Sequence, residues 1–182
     1  LYEFHYNPVG AAFKAALRDR HVDVKVLYDE PNYGGVNRTM INHYGLSKVC
    51  APRKTGGAQK HNKFIVLLKD GIPVEVWTGS TNISDGGIFG HSNVGHIVHD
   101  AGVAGQYLAY WNALCNSIDP PPAASTPFSQ TRIDPGRSGL AQRNDGATPT
   151  PAGNPPAGSI TALFSPRDPG TLQWYAERMA GA

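Results

Sequence analysis

Apolar positions at the start of the chain follow two periods in turn. Val9, Ala12, Phe13, Ala16 and Leu17 fall on one side of a 3.6-residue repeat, and Asn7-Pro8 just before them supplies an N-cap and a proline suited to the first turn. A helix is predicted there. Val22, Val24, Val26 and Tyr28 then alternate with Asp23, Lys25 and Leu27, the two-residue period of a strand. Residues 29–60 keep neither period and hold Pro31, Pro52 and the pairs Gly34-Gly35 and Gly56-Gly57, which predicts loop with a short helix near residues 40–45.

The chain turns apolar and β-branched again after Lys63 with Phe64, Ile65, Val66, Leu67 and Leu68, breaks at Lys69-Asp70-Gly71, and resumes with Val74 to Thr78. Asp-Gly between two such runs predicts a hairpin. After a loop with Gly86, Gly87 and Gly90, a strand is expected over 95–99, followed by a helix with Val103, Tyr107, Tyr110, Trp111 and Leu114 on one face. Helices and strands in this order predict an α/β unit, a mixed β-sheet flanked by helices, complete by residue 117.

Composition then changes the picture for the remainder. Nine of the 15 prolines fall in residues 119–158, with hardly any large apolar side chains between them, so 118–158 is read as a linker. Periodicity returns in residues 159–182. A strand is predicted over 160–164 and a helix from Asp168-Pro169 carrying Leu172, Tyr175, Ala176 and Met179.

A chain of 182 residues suits one domain with appendages. Its formal net charge of +2 demands neither nucleic acid nor an anionic surface as partner, so any anion site must be local. Cys50 and Cys115 lack metal-ligand spacing, and spacing alone does not pair them. His91, His96 and His99 come with no Cys or carboxylate cluster and read as loop or structural residues, not zinc ligands. No apolar run approaches the roughly 20 residues that span a bilayer, and the sequence opens Leu1-Tyr2 without a charged-then-apolar leader. The chain reads as soluble.

Candidate chemistry lies at the two ends of the predicted hairpin. His61 and Lys63 are two apart where a strand begins, so their side chains share a direction. Gly79-Ser80-Thr81-Asn82 follows the second strand, and pairing brings Ser80 and Asn82 to the same edge. An imidazole, an ammonium, a hydroxyl and an amide then converge on one pocket. Singly, each is ordinary: a histidine before a strand, a snorkelling lysine, two turn formers. Together they suit a phosphodiester. Lys63 offers a point charge to the non-bridging oxygens, Ser80 and Asn82 offer neutral donors, and His61 can attack phosphorus. Positioning and electrostatics supply most of the catalysis of such transfers. Gly79 lets the backbone approach a ligand closely, while Lys48, Arg53, Lys54 and Lys60 either steer an anion or keep a loop solvated.

These residues resemble the phospholipase D superfamily, whose signature is His-x-Lys, an acidic residue, and then Gly-Ser-x-Asn. The longer run 61–98, with Trp77-Thr78-Gly79-Ser80-Thr81-Asn82 and Gly87-Ile88-Phe89-Gly90-His91-Ser92-Asn93, is similar to bacterial phospholipase D-like proteins in particular. The resemblance covers residues 2–117, with a second stretch at 160–180. It implies a two-step reaction without metal or cofactor at a site built from two motif copies. One histidine forms a phosphohistidine, and the other protonates the leaving alcohol and later activates water. On that reading His61, Lys63 and Asn82 are catalytic, and Lys63, Ser80 and Asn82 hold the phosphate.

One copy is half a site. The second half is expected from sequence outside this chain or from a homodimer partner across a two-fold axis. Residues 1–5 look like the end of a strand that normally has a predecessor, and 160–180 look like the opening of a second repeat, so the chain is expected to be a window on a longer two-repeat protein. Without a basic stripe, phospholipid is favoured over nucleic acid as the substrate. A phosphate-binding module without turnover is the reading from a different class. Two positions depart from the pattern: Leu68 stands where the acidic residue belongs, with Asp70 two further on, and Asn93 is the nearest match to a glutamate often found beyond the second element.

Overall fold

The computed structural model describes residues 1–53, 61–115, 128, 137–147, 158 and 160–180. Helix α1 (Asn7–Arg18) carries Pro8 in its first turn, but the capping position is Tyr6, with no side-chain cap. The Tyr6 carbonyl instead accepts from Val9 and Gly10 at 3.1 and 3.2 Å. Val9, Phe13, Ala16 and Leu17 pack inward as predicted, while Ala12 faces solvent.

Strand β1 (Val26–Asp29) is shorter than its alternating pattern suggested, and all four of its residues are buried. The reason is that both faces are covered. Val26 and Tyr28 join a cluster with Phe4, Met40 and Ile41, and Leu27 joins another with Tyr110 and Leu114. Val22, upstream, is exposed. Two elements depart from the loop expected at 29–60. Helix α2 (Gly34–His43) starts well before residue 40, because burying Asn37, Met40 and Ile41 outweighs the poor helix propensity of its two leading glycines. Strand β2 (Cys50–Arg53) pairs in parallel with β1, from Val26 with Cys50 to Asp29 with Arg53. Pro52 within it hid the strand from a reading of pattern. Gly56-Gly57, Lys54 and Lys60 lie outside the described residues.

The hairpin forms as predicted from β3 (Phe64–Lys69) and β4 (Ile72–Gly79). Asp70 and Gly71 have φ of +52° and +79°, both left-handed, as in the primed turn that Asp-Gly favours. Strand β5 (Gly95–Val98) adds to the other side of β4 in an antiparallel order β3-β4-β5. Helix α3 (Ala101–Cys115) covers one face of this sheet, where Val76, Val103 and Ala104 are buried together. A parallel pair and an antiparallel triple, with helices packed against them, give the α/β class with mixed sheets that was expected.

Residues 2–5 are wedged into this frame. Phe4 bridges Ile83 in parallel, Ile83 N–H donates to the Glu3 carbonyl at 3.1 Å, and His5 N–H donates to the Ile83 carbonyl at 2.9 Å. Asn37, fully buried, clamps the other side. Its Nδ2 donates to the Tyr2 and Asp29 carbonyls at 3.1 and 3.0 Å, and its Oδ1 accepts from Phe4 N–H at 2.8 Å.

Residues 160–164 are not a strand. Phe164 instead stacks on Tyr110 at 4.5 Å, and the Tyr110 hydroxyl donates to the Ser165 carbonyl at 2.8 Å, so the segment docks onto α3. Within the proline-rich stretch, residues Arg137–Ala147 form α4, whose Asn144 amide donates to the Pro166 carbonyl. Helix α5 (Gly170–Ala180) begins where predicted, with Asp168 Oδ1 accepting from Gly170 N–H at 2.8 Å. Its apolar periodicity finds no cover among the described residues: Leu172 and Met179 are 74% and 79% exposed. Both cysteines are free and buried. No described helix is long and apolar enough to cross a membrane.

Candidate active site

Phe64 pairs with Thr78, and extending that register by one step sets Lys63 opposite Gly79. The alternation assumed for residues 61–63 holds. Asn62 turns one way, accepting from Arg53 Nη1 at 2.8 Å and donating to the Tyr110 hydroxyl oxygen at 3.3 Å. His61 and Lys63 turn to Tyr2, whose ring centre lies 4.4 Å from the imidazole and 4.9 Å from Lys63 Nζ. Asn62 and Tyr2 thus pin the entry to β3 from opposite sides. A brace lies beneath it: Tyr107 donates to Thr78 Oγ1 at 3.3 Å, and Thr78 donates to the Lys63 carbonyl at 3.2 Å.

Lys63 is only 6% exposed. Its Nζ donates to the His61 carbonyl at 2.8 Å, and among the described residues no carboxylate comes within ion-pair distance. Burial lowers its pKa from the ordinary 10.5 to about 8, against an opposing pull from Glu3. The sign of the consequence follows. Between pH 8 and 10.5 the unfolded chain keeps a proton that the folded chain has lost, so stability rises with pH across that window. Below it, the fold carries the full penalty of a buried cation. Lys63→Met keeps the length and removes the charge. Wild type is therefore expected to gain on the order of 3 kcal/mol relative to this variant from pH 8 to 10.5. Urea unfolding at stepped pH measures it, and a difference that stays flat across the window would contradict a charged, buried Lys63.

His61 keeps an edge in solvent, but its ring face lies on Tyr2. Loss of water is the larger cause lowering its pKa below 6.5, and the charge of Lys63 is the second, with Glu3 and Asp29 pulling the other way. The lowered pKa favours the neutral ring, the form in which an imidazole can act as a nucleophile.

The second element closes the edge of the sheet. A Cβ on Gly79 would stand 2.0 Å from the Val94 carbonyl oxygen. Ser80 N–H donates to that carbonyl at 2.9 Å, and Val94 N–H returns a bond to Ser80 Oγ at 3.0 Å. Ser80 therefore fastens the approach to β5, and its hydroxyl proton remains to be donated. Asn82 packs against Gly87, where a Cβ would come within 2.4 Å of the Asn82 carbonyl oxygen. Asn82 Oδ1 is buried with no hydrogen-bond partner among the described residues. Leaving such an atom unpaired costs about 1–3 kcal/mol. A half-turn of the amide would set Nδ2 there as a donor.

The structure thus brings His61 and Lys63 together on Tyr2 and places Ser80 and Asn82 at the adjoining end of β4. It sets other residues apart. Leu68 is half-exposed near the far end of β3 and Asp70 sits at the hairpin tip, about 20 Å of strand from Lys63. Asn93 donates to the Gly87 carbonyl at 2.8 Å and braces the loop. His99 Nδ1 lies 2.5 Å from a Glu75 carboxylate oxygen, and the described residues hold no cluster of three metal-ligating side chains. Tyr2 was missed from sequence, since nothing in the motif points 60 residues upstream. Asn62 was not singled out either, although strand alternation turns it to the face opposite His61 and Lys63.

The chain matches no protein-family model and no curated protein. Among solved structures it is similar to Nuc, a phospholipase D family member from Salmonella typhimurium, at 29% identity and a TM-score of 0.50, covering 61% of this chain and 71% of that one. The chain has the phospholipase D superfamily fold. Within this phospholipase D fold the candidate residues sit where β3 begins and β4 ends, the sheet edge that the sequence pattern assigned to them. The segment of residues 2–5 forms the wall facing that edge.

Proposed function

We propose that this chain is the catalytic half of a phospholipase D-type phosphodiesterase. The carrying observation is a buried lysine without a carboxylate partner among the described residues, beside an imidazole whose lowered pKa favours its neutral form. An oxyanion is what neutralises that set. His61 attacks phosphorus, an N–P bond forms, and the P–O bond to the alcohol breaks, its oxygen taking a proton from a second imidazole. That imidazole then removes a proton from water or an acceptor alcohol, which attacks phosphorus and restores His61. Lys63, Ser80 and Asn82 hold the non-bridging oxygens throughout.

The motif occurs once in this sequence. The second imidazole comes from another copy of it, in a partner chain or in a longer chain. The reaction needs no metal, so a chelator leaves turnover unchanged. Phospholipid is the favoured substrate over nucleic acid: the net charge is only +2, and apolar Phe89 and Val94, 75% and 53% exposed, flank the second element.

Incubation with a short-chain phosphatidylcholine, and separately with plasmid DNA, followed by acid-free mass spectrometry of the His61 peptide, tests the proposal. A phosphatidyl adduct on His61 with choline release is expected. DNA cleavage without choline release would make the protein a nuclease. Bound phosphate with neither adduct nor product would make it a binding module, the reading that Leu68 favours.

A further inference from the structure

We propose that Phe164 is a positioning residue for His61 and Lys63, and that the segment of residues 160–166 is a brace behind the candidate site. The inference rests on the reading of His61 and Lys63 as the reacting pair. Each link from Phe164 to that pair is a contact in the structure. Phe164 is buried, and its ring stacks on Tyr110 at 4.5 Å and meets Tyr107 edge-on at 4.9 Å. Tyr107 and Tyr110 stand three apart on α3 and so share a side of the helix. Both rings also meet Phe64, the residue after Lys63, at 5.2 and 6.0 Å.

Two polar chains run from these rings to the entry of β3. One passes from the Tyr107 hydroxyl through Thr78 Oγ1 to the Lys63 carbonyl, at 3.3 and 3.2 Å. The other is centred on Asn62, between His61 and Lys63. Its Nδ2 donates to the Tyr110 hydroxyl oxygen at 3.3 Å, and its Oδ1 accepts from Arg53 Nη1 at 2.8 Å. Tyr110 has one hydroxyl proton and gives it to the Ser165 carbonyl at 2.8 Å, which presents the oxygen to Asn62 as an acceptor. Residue 165 thus sets which way the hydroxyl points, and Phe164 sets where the ring lies. The segment is itself tied to α4: Asn144 Nδ2 donates to the Pro166 carbonyl at 3.0 Å, and Arg167 Nη1 to the Asn144 carbonyl at 2.9 Å. Residues 61–63 precede the first ladder pair, Phe64 with Thr78, so these side-chain contacts, together with Tyr2, aim the pair. A misplacement of about 1 Å at reacting groups can cost on the order of 10²-fold in rate.

Phe164→Ala is expected to lower kcat by about 10–100-fold with KM little changed. In a chain carrying Tyr107→Phe and Tyr110→Phe, which keep both rings and remove both hydroxyls, Phe164→Ala should add little further loss. An unchanged kcat in Phe164→Ala, or a loss by the same factor in both backgrounds, would overturn the assignment. A second measurement needs no turnover and so stands apart from any failure of the proposed reaction. The Lys63 ε-carbon is followed by NMR through a pH titration of the folded chain. Its midpoint, held to about 8 by burial, should rise toward the ordinary 10.5 in Phe164→Ala and in Tyr110→Phe, as water reaches the loosened entry. Leu172→Ala, on the exposed side of α5, should leave it in place. A midpoint that stays put in the first two variants, or moves as far in Leu172→Ala, overturns the brace. Should Phe164→Ala not fold, Tyr110→Phe, which removes a single oxygen, decides by the same measure.

Discussion

His61→Ala is expected to lower turnover of a chromogenic phosphodiester by at least about 10²–10⁴-fold, the range for loss of one acid-base partner, while circular dichroism and thermal midpoint stay close to wild type. The two halves of the expectation have separate causes. The imidazole is the group that attacks phosphorus, and nothing else at the edge replaces it, since Lys63 is anchored on a carbonyl and a ring. The fold, by contrast, asks little of that side chain. It touches Tyr2 and otherwise borders solvent, while the local backbone is held by Asn62. Full turnover in His61→Ala would remove the basis of the mechanism.

Gly79→Ala is expected to destabilise the protein by about 3 kcal/mol, the sum of an overpacking clash and the strain of opening a ladder. For a chain of this length that lowers the thermal midpoint by roughly 6–12 °C. The new methyl would overlap the Val94 carbonyl oxygen, which already accepts from Ser80 N–H, and neither strand can move aside without parting β4 from β5. Gly90→Ala is the matched control, because a Cβ there meets nothing within 4 Å. Calorimetry on the pair tests this: equal midpoints would show that the close approach at Gly79 is not a constraint.

What was legible in the sequence was local. The hairpin could be read because its signal is complete within sixteen residues, two β-branched runs and an Asp-Gly turn, and its register let His61, Lys63, Ser80 and Asn82 be placed at one end of the sheet. Helices α1 and α3 were legible from a signal equally local, apolar residues at helical spacing. The misreadings came where long-range packing outweighs local preference. Strand β1 is buried on both faces and so carries no alternation that marks its start. Helix α2 begins on two glycines, and β2 contains a proline. The segment at 160–164 has the residues of a strand but finds an aromatic surface on α3 in place of a sheet edge. Tyr2 was invisible as a site residue because its role exists only through the fold.

The clamp made by Asn37 and Ile83 on residues 2–5 has a consequence for how the protein comes to be competent. Hairpin β3-β4 closes on neighbours and can form early, within microseconds. The wall opposite it is delivered from about 60 residues away and is locked from both sides by separate elements, contacts of high sequence separation that form late. The sheet is therefore expected to form before the wall that faces it. An intermediate with its sheet assembled and residues 2–5 still undocked would display His61 and Lys63 with their water intact, the lysine at its ordinary basicity and the imidazole unconfined. On the proposed reading the pair is complete only once residues 2–5 have docked, so that Tyr2 covers Lys63 and one face of His61.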